Sequence, residues 1–423
     1  MRKFTAIVCL AAAAACLFAL AAAGARPATA APTARFGIQD DAWLRYGPGT
    51  LDTRIARLKG MGVSLVRINL LWNTVEPGDG RYDWDGYDQL ISGLHRAGIE
   101  PVLTLVSTPA WANGGRGTNI APTNGVTFAR FAGTAARRYP YVRRWLIWNE
   151  PNQRRWLLPD SPSVYVTRLL NPAYGAIHAA NIHALVGGGV TAPRAATGGV
   201  SPVAWIAGMA AAHAHLDAYA HNPYPLNPDE TPSTGGCTHC TTITLSTIGR
   251  LVAAVNTSFG SGVRLWLTEF GFQTNPPDRY LGVTYTRQAQ YISEAALRVY
   301  LTPKVDMLVQ YLLQDEPDPA RWQSGLLTST GVAKPSYVAF ELPFAELAHT
   351  STTATLWAQI RPATGGRHYV LQQRVSGRWV GVGGLSQAGT GGVVKRVVHA
   401  HVGAQFRIVD AAAKITSPVL TLS

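Results

Sequence analysis

The sequence predicts an α/β protein: a (β/α)8 or TIM barrel, followed by a small C-terminal all-β domain of the immunoglobulin-like sandwich type. Between residues 35 and 345, short apolar runs alternate with amphipathic helical segments, which is typical of a parallel sheet covered by helices. Eight such units in about 310 residues match a barrel with loop insertions. After Leu347 the pattern changes to short alternating runs separated by glycine-rich turns.

The eight barrel strands are predicted from apolar runs in which β-branched residues are common. In chain order they are residues 36–39, 65–69, 101–106, 145–150, 184–188, 216–221, 264–269 and 307–312. Helices are predicted over 51–60, 84–98, 128–138 and 288–300. The second of these has apolar residues at helical spacing, namely Tyr87, Leu90, Ile91 and Leu94.

The C-terminal domain is predicted to comprise residues 349–423, with strands over 355–360, 368–373, 379–382, 393–398 and 406–409. Because this pattern starts after the last barrel helix, we expect a chain that ends near His349 to remain folded and active. Such a domain binds sugar, binds cell wall or acts as a spacer. Trp357 and Trp379 either form a sugar-binding platform or pack in the core.

The first 30 residues read as a secretory signal peptide, which leaves a catalytic domain over 31–348. A charged start at Arg2 and Lys3 precedes an alanine-rich apolar stretch and the small-residue sequence Ala28-Thr29-Ala30. We expect cleavage after Ala30, export, and no stable membrane span in the mature chain; an uncleaved anchor is the alternative.

The charge of the chain argues against nucleic-acid binding. Its formal net charge is +13, and loss of Arg2, Lys3 and Arg26 with the signal peptide would leave +10. The basic residues are scattered and form no long run, unlike those of a nucleic-acid-binding surface. A basic surface is compatible with an acidic polysaccharide or an anionic cell wall.

The mature chain retains two cysteines, Cys237 and Cys240. In an exported protein such a pair is most simply a disulfide that closes a small loop, here after the sixth strand and bordering the cleft. A redox motif or half of a metal site is the alternative, but no second cysteine pair completes a metal site.

Two glutamates end buried strands. Glu150 follows the apolar run Trp145-Leu146-Ile147 and precedes Pro151, which cannot donate to a sheet. Glu269 closes the run Leu265-Trp266-Leu267-Thr268 and is followed by Phe270-Gly271. Carboxyl ends of barrel strands carry catalytic residues, and two carboxylates facing one cavity are what hydrolysis of a glycosidic bond requires.

The strand ends Asn149-Glu150-Pro151 and Thr268-Glu269-Phe270-Gly271 resemble those of the retaining glycoside hydrolases of clan A, especially the family 5 cellulase-like and family 39 xylosidase-like groups. The resemblance covers roughly residues 35 to 345. It implies that Glu150 is the acid/base and Glu269 the nucleophile, on strands four and seven. The implied double displacement needs no metal and no organic cofactor.

The same resemblance implies substrate-binding roles for other residues. Arg67 on strand two would keep Glu269 ionised, Tyr224 would donate a hydrogen bond to it, and Asn149 would hold the sugar 2-hydroxyl. His221 would line the sugar subsite. Many clan members carry a tryptophan at the end of strand eight; here Tyr311 or a loop tryptophan would replace it. The tryptophans predicted near strand ends, which would stack on sugars or pack in loops, are Trp72, Trp111, Trp148 and Trp322.

The sequence therefore predicts a secreted retaining O-glycosidase acting on an oligosaccharide or polysaccharide, and association with the cell wall is left open. A non-catalytic carbohydrate-binding or cell-wall protein on the same barrel is the main alternative, and the intact glutamate pair argues against it. A transglycosylase would use the same residues and differ only in whether water or a sugar accepts the intermediate.

Overall fold

Eight parallel strands form a closed barrel in the computed structural model, which describes residues 33–196, 198–362 and 366–423. Each strand pairs with the next along the chain, and the first pairs with the eighth. The strands are Arg35–Gln39 (β1), Leu65–Leu71 (β2), Glu100–Val106 (β3), Arg144–Ile147 (β4), Leu185–Thr191 (β5), Ala218–His221 (β6), Arg264–Phe270 (β7) and Val305–Tyr311 (β8). The predicted fold class is thus confirmed. The predicted signal peptide lies outside the described residues.

Helices connect and cover the strands, and several of them start at a side-chain cap. Thr50, Ser201 and Thr284 each accept a hydrogen bond from the backbone three residues further on. The helices are Asp41–Tyr46 (α1), Leu51–Gly60 (α2), Trp72–Val75 (α3), Tyr87–Arg96 (α4), Ala110–Asn113 (α5), Gly125–Arg138 (α6), Pro162–Tyr165 (α7), Asn171–Ala180 (α8), Pro202–Ala211 (α9), Ile248–Phe259 (α10), Tyr285–Tyr300 (α11) and Pro335–Glu341 (α12). A π-helical segment, Val166–Leu170, joins α7 to α8.

Alternate strand residues fill the lower barrel interior with apolar side chains, as the two-residue period of a strand requires. This interior cluster contains Leu65, Val102, Leu146, Val190, Ala218, Ala220, Trp266, Met307 and Val309. The interior residues one step higher are polar on several strands, including Arg67 on β2 and Thr104 on β3. The transition from apolar to polar interior residues marks the carboxyl end of the barrel as the candidate site.

The C-terminal domain is a sandwich of two antiparallel sheets. Its strands are Phe344–His349 (β9), Thr353–Gln359 (β10), His368–Val375 (β11), Arg378–Gly381 (β12), Ser386–Gln387 (β13), Val393–His399 (β14), Gln405–Asp410 (β15) and Leu420–Thr421 (β16). One sheet has the order β14-β10-β9, and the other has the order β12-β11-β15-β16 with β13 beside β11. Residues such as Leu356, Tyr369 and Phe406 are buried between them.

This domain begins earlier than the predicted boundary at residue 349. Phe344–His349 pairs with β10 and therefore belongs to the sandwich. The segment follows α12 after only two residues and has no glycine-rich turn before it, so the sequence gives no sign of a new domain there. Trp357 on β10 is buried and its ring lies 5.4 Å from that of Tyr300 on α11. It is a core residue of the domain junction and not a sugar platform. Trp379 is partly buried beneath the guanidinium of Arg407.

Cys237 and Cys240 are joined by a disulfide, as predicted. The loop between β6 and α10 that contains them is also held by Arg250, which donates to the carbonyl oxygens of Cys237 and Thr242 at 3.0 and 2.9 Å. Neither cysteine lines the cavities at the barrel mouth. The two cysteines therefore do not border the cleft, contrary to the prediction for the small loop that they close.

Candidate active site

Glu269 reaches the barrel interior because β7 is irregular next to it. The register between β7 and β8 shifts between Leu267 and Phe270. As a result the neighbouring residues Thr268 and Glu269 both make side-chain contacts inside the barrel, which a regular strand would forbid. Thr268 Oγ1 donates to Asn222 at 2.8 Å, while Glu269 accepts from Arg67 and Tyr224.

Arg67 organises the floor of the site. Its Nη1 donates to Glu269 Oε1 at 2.6 Å and to the Thr268 carbonyl oxygen at 3.0 Å. Its Nε donates to Thr104 Oγ1 at 2.9 Å and its Nη2 to Asn149 Oδ1 at 2.7 Å. The side chain is completely buried, so the ion pair is shielded from water. A buried guanidinium with these partners fixes the position of the Glu269 carboxylate and places a positive charge beside it. The prediction for Arg67 agrees with this geometry.

Glu150 lies three residues beyond the end of β4, which stops at Ile147 and not at Glu150 as predicted. The segment is held in an unusual backbone conformation, with φ of 71° at Trp148 and 42° at Glu150. The Glu150 N–H donates to the carbonyl oxygen of Val190, itself at φ 44°, over 2.9 Å. Non-glycine residues with positive φ are strained, and such residues concentrate at functional sites.

Burial makes the carboxylate of Glu150 easier to protonate than that of an exposed glutamate. Desolvation is the largest cause of a pKa raised to about 7, and the nearby charge of Glu269 raises it further. A hydrogen bond of 3.1 Å from Asn222 Nδ2 to Glu150 Oε1 and the positive charge of Arg67 partly oppose the shift. The two carboxyls thus have different environments: Glu269 is ion-paired, whereas burial raises the pKa of Glu150 to about 7.

Both glutamates line one cavity of about 720 Å³ at the carboxyl end of the barrel. Asn149 lines it too, and because its Oδ1 accepts from Arg67, its amide N–H groups are the ones available to a ligand. Gln39 Oε1 and Asn69 Oδ1 are buried at this cavity and accept no hydrogen bond within the described structure. Sugar hydroxyls are suitable donors for such acceptors.

Aromatic side chains form one wall of the cavity. Trp322, from the loop after β8, has its ring 5.2 Å from that of Tyr224 and 5.5 Å from that of Tyr311. Tyr224 also donates to Glu269 Oε2 at 3.2 Å, as predicted. Tyr311 and the loop tryptophan Trp322 therefore lie side by side in the same wall, whereas the sequence predicted one or the other. Trp156 lines the cavity near Glu150. Aromatic faces of this kind suit the apolar faces of sugar rings.

The structure keeps three predicted substrate-binding residues away from the cavity, and these predictions are corrected. His221 is completely buried between Thr191 Oγ1 at 2.8 Å and the Ile243 carbonyl oxygen at 3.0 Å, and burial lowers its pKa to about 4. Trp72 is completely buried, with its Nε1 bonded to Glu76 at 2.7 Å. Trp111 donates to the Glu76 carbonyl oxygen at 2.9 Å beside Trp72. All three stabilise loops behind the site. Trp148, similarly, is bonded to the Trp156 carbonyl oxygen at 2.8 Å.

The sequence reasoning missed Asn222, the residue that connects the two glutamates. It donates to Glu150 and accepts from Thr268, the neighbour of Glu269. Its signal was its position in His221-Asn222-Pro223-Tyr224, but the choice between His221 and Asn222 as the inward residue depends on where β6 ends. Three arginines at the cavity, Arg155, Arg194 and Arg321, were also missed because they lie on loops without a sequence pattern.

Neither a metal cluster nor a membrane-spanning helix is found in the described part of the chain. No group of three or more His, Cys, Asp or Glu side chains is arranged there to hold a metal ion. No helix described for residues 33–423 is long and apolar enough to cross a bilayer.

Residues 41–116 match the profile of glycoside hydrolase family 42, described as beta-galactosidase. No curated protein matches the sequence. Among solved structures, a family 39 glycoside hydrolase from Bacteroides cellulosilyticus is similar, with a TM-score of 0.61, 18% identity, and coverage of 89% of this chain and 82% of that one.

Two further solved structures are similar over most of their length. The family 39 enzyme from Xanthomonas axonopodis has a TM-score of 0.58 at 17% identity, covering 90% of this chain and 94% of that one. A glucosidase from Croceicoccus marinus has a TM-score of 0.59 at 12% identity, covering 90% and 95%. At these identities the structures show a shared fold. Together with the family 42 match they confirm the predicted resemblance to clan A glycoside hydrolases and support a glycosidase.

Proposed function

We propose that this protein is an exported retaining O-glycosidase that cleaves an oligosaccharide or polysaccharide by double displacement. The observation that carries the proposal is the contrast between two glutamates in one cavity. Glu269 is bound by Arg67 and Tyr224, whereas desolvation raises the pKa of Glu150 to about 7. Carboxyls in such different environments are suited to divide the roles of nucleophile and acid.

In the proposed first step, Glu269 attacks the anomeric carbon while the Glu150 proton moves to the leaving-group oxygen. The glycosidic bond breaks and a glycosyl ester forms on Glu269. In the second step the Glu150 carboxylate accepts a proton from water, which attacks the anomeric carbon and releases Glu269. A retaining enzyme requires the two carboxyls to lie about 5–5.5 Å apart, too close for an intervening water.

Asn149 supports this proposal from the sugar side. Since Arg67 fixes its Oδ1 at 2.7 Å, its Nδ2 can donate to a sugar hydroxyl beside the anomeric carbon. A contact to the 2-hydroxyl strengthens as positive charge develops in the transition state. Export is proposed from the charged, alanine-rich start of the sequence and its Ala28-Thr29-Ala30 site.

A screen of aryl glycosides, followed by NMR of the first-formed product, tests the proposal. We expect the product to keep the anomeric configuration of the substrate. Glu269→Ala should lower the rate by at least about 10⁴-fold, since no other group can form the ester. Glu150→Ala should slow poor leaving groups more than good ones, and added azide should restore its activity. An inverted first product, or an unchanged rate for either variant, would refute the mechanism. Sugar binding without turnover would favour the non-catalytic alternative.

A further inference from the structure

We infer that the leaving-group side of the cavity binds a glycan carrying carboxylates, so that the substrate is a uronic-acid-containing oligosaccharide or polysaccharide. The inference rests on the proposed function and adds the chemical class of the substrate. Two guanidinium groups without carboxylate partners, those of Arg155 and Arg194, carry the argument.

The charges that line the cavity do not cancel. Three glutamates and three arginines line it, namely Glu150, Glu269, Glu316, Arg155, Arg194 and Arg321, and Arg67 adds a fourth positive charge beside Glu269. Glu269 is paired with Arg67 at 2.6 Å, and Glu316 with Arg321 at 3.4 Å. Glu150, buried beside Glu269, is uncharged while it serves as the acid. Among the residues described, no carboxylate forms an ion pair with Arg155 or Arg194. The charge of the buried Glu230 acts on Arg194, but Glu230 does not line the cavity, so the lining itself keeps an excess of positive charge.

Both arginines lie on the side of the cavity where the leaving group must be. Arg155 follows β4 in the same loop as Glu150, and Arg194 follows β5, the neighbouring strand. Glu150 protonates the oxygen of the leaving group, so groups on its side contact the sugars that depart. Burial lowers the pKa of Arg194, and the negative charges of Glu230 and then Glu150 oppose that shift, which places Arg194 within electrostatic reach of Glu150.

The guanidinium of Arg194 is held in place and keeps free donors, while that of Arg155 is exposed beside an aromatic ring. Arg194 is half-buried and uses its Nη1 and Nη2 once each, donating to the Pro225 carbonyl oxygen at 3.3 and 2.8 Å. Three of its five N–H groups therefore have no partner in the described structure. The guanidinium of Arg155 lies 5.6 Å from the ring of Trp156, which also lines the cavity. A planar guanidinium beside an aromatic face can bind the carboxylate of a uronic acid while the ring contacts the sugar.

The opposite side of the mouth has the opposite character. A second cavity of about 480 Å³ continues past Gln39 and Asn69 and is lined by Asp40, Asp41, Asp315, Glu316 and Arg321. Asp315 is paired with Lys334 and Glu316 with Arg321, so Asp40 and Asp41 are the lining carboxylates without an ion-pair partner among the described residues. A carboxylate-bearing sugar would be repelled there. The distribution of charge therefore orients an acidic glycan, with its carboxylates on the leaving-group side.

Calorimetric binding to the Glu150→Gln protein at pH 6 tests this inference, because glutamine imitates the protonated acid. The probes are oligosaccharides from polygalacturonate, alginate and glucuronoxylan, each beside its carboxyl-reduced counterpart, in which the uronic acids have become neutral sugars. We expect at least one uronate probe to bind about tenfold or more tightly than its reduced form. Adding Arg155→Gln and Arg194→Gln together should remove that difference.

Arg154→Gln is the matched control. Arg154 adjoins Arg155, is 57% exposed, lies 3.8 Å from Asp160 and does not line the cavity. It should leave the preference for uronate intact, and dextran sulfate should not replace the uronates as ligand. Equal binding of reduced and unreduced probes, no binding of any uronate, or an equal loss in the Arg154 variant would overturn the inference. Turnover of neutral aryl glycosides by the wild type tests the proposed function separately. Turnover without a preference for uronates would refute only the inference about the substrate. Binding of uronates without turnover of any glycoside would refute only the proposed glycosidase activity.

Discussion

Arg67 at the mouth of the barrel and Arg361 at the junction with the C-terminal domain are both buried, but their surroundings differ. Arg67 has a carboxylate partner, Glu269, and uses all three guanidinium nitrogens. Arg361 donates to the Phe340 carbonyl oxygen at 2.7 Å and to Gln359 at 3.1 Å, lies 3.5 Å from the ring centre of Phe36, and has no partner for Nη2. Burial alone lowers the pKa of Arg361 well below its ordinary value.

The difference separates a buried positive charge with a carboxylate partner, which the proposed chemistry uses, from a buried positive charge without one. At the mouth, the guanidinium offsets a negative charge and orients two side chains that face substrate. At the junction, it fills space between aromatic rings. Gly62, just before β2, shows how close this packing is: a Cβ there would lie 2.6 Å from Arg361 Cβ. Gly62 precedes β2, so the junction is at the amino end of the barrel, away from the site.

The largest expected effect is that of Arg67→Met. This change leaves Glu269 buried without its positive partner and frees Asn149 from its hydrogen bond. We expect kcat/KM on an aryl glycoside to fall by about 10³-fold or more, since the proposed nucleophile would lose its positively charged partner and its orientation. Stopped assays on the purified variant measure the fall, with circular dichroism to show that it is folded. A folded variant with near wild-type activity would mean that Arg67, like Arg361, is not needed for catalysis.

Shortening the chain at His349 tests the junction as a whole. The sequence predicts that such a barrel stays folded and active, but the structure shows that the cut would leave β9 without its partner β10 and remove Trp357 from Tyr300. Loss of a buried tryptophan costs about 3–5 kcal/mol. We therefore expect a much lower melting temperature or insoluble protein, and Trp357→Ala in the full chain should reproduce part of that loss. A shortened chain that melts like the full one would restore the original prediction.

Asn222→Ala should give an intermediate effect at the mouth. Without the Asn222 donor, Glu150 loses a bond that favours its ionised form, so its pKa should rise above about 7. The alkaline limb of kcat/KM, where activity is lost as the acid deprotonates, should move to higher pH. Substrates with poor leaving groups should slow by about 10- to 100-fold, because the acid is less well held.

Thr268→Val is the graded comparison for that variant, since it removes the hydroxyl that donates to Asn222 at 2.8 Å and keeps Asn222 itself. Its effect should be smaller and in the same direction. An unchanged pH profile in both proteins would show that Asn222 does not position the acid.

Much of the candidate site at the barrel mouth could be predicted from the sequence, and the rest could not, for physical reasons. Glu150, Glu269 and Arg67 were found because buried parallel strands are apolar runs, in which a charged residue is conspicuous. His221 was chosen over Asn222 because the alternation of side chains cannot be assigned without the exact end of β6. The sequence predicts Trp72 and gives no sign of Trp156, because only the path of a loop separates a tryptophan packed in the core from one that lines the cavity.

The smallest expected effect is that of Arg361→Met. Methionine is unbranched and apolar, so it can occupy the space between Phe36 and Phe340 without a charge to desolvate. The change removes a buried cation that lacks a carboxylate partner, and this stabilises the variant. It also leaves the Phe340 carbonyl oxygen without its donor, which destabilises the variant by about 1–3 kcal/mol. We expect these terms to offset each other, with a change in unfolding free energy within about 2 kcal/mol and unaltered kcat and KM. Denaturant unfolding and aryl glycoside turnover of Arg361→Met beside Arg67→Met measure the same substitution in both regions. Loss of activity in a folded Arg361→Met protein would show that the junction controls the site, and the division between the two arginines would then fail.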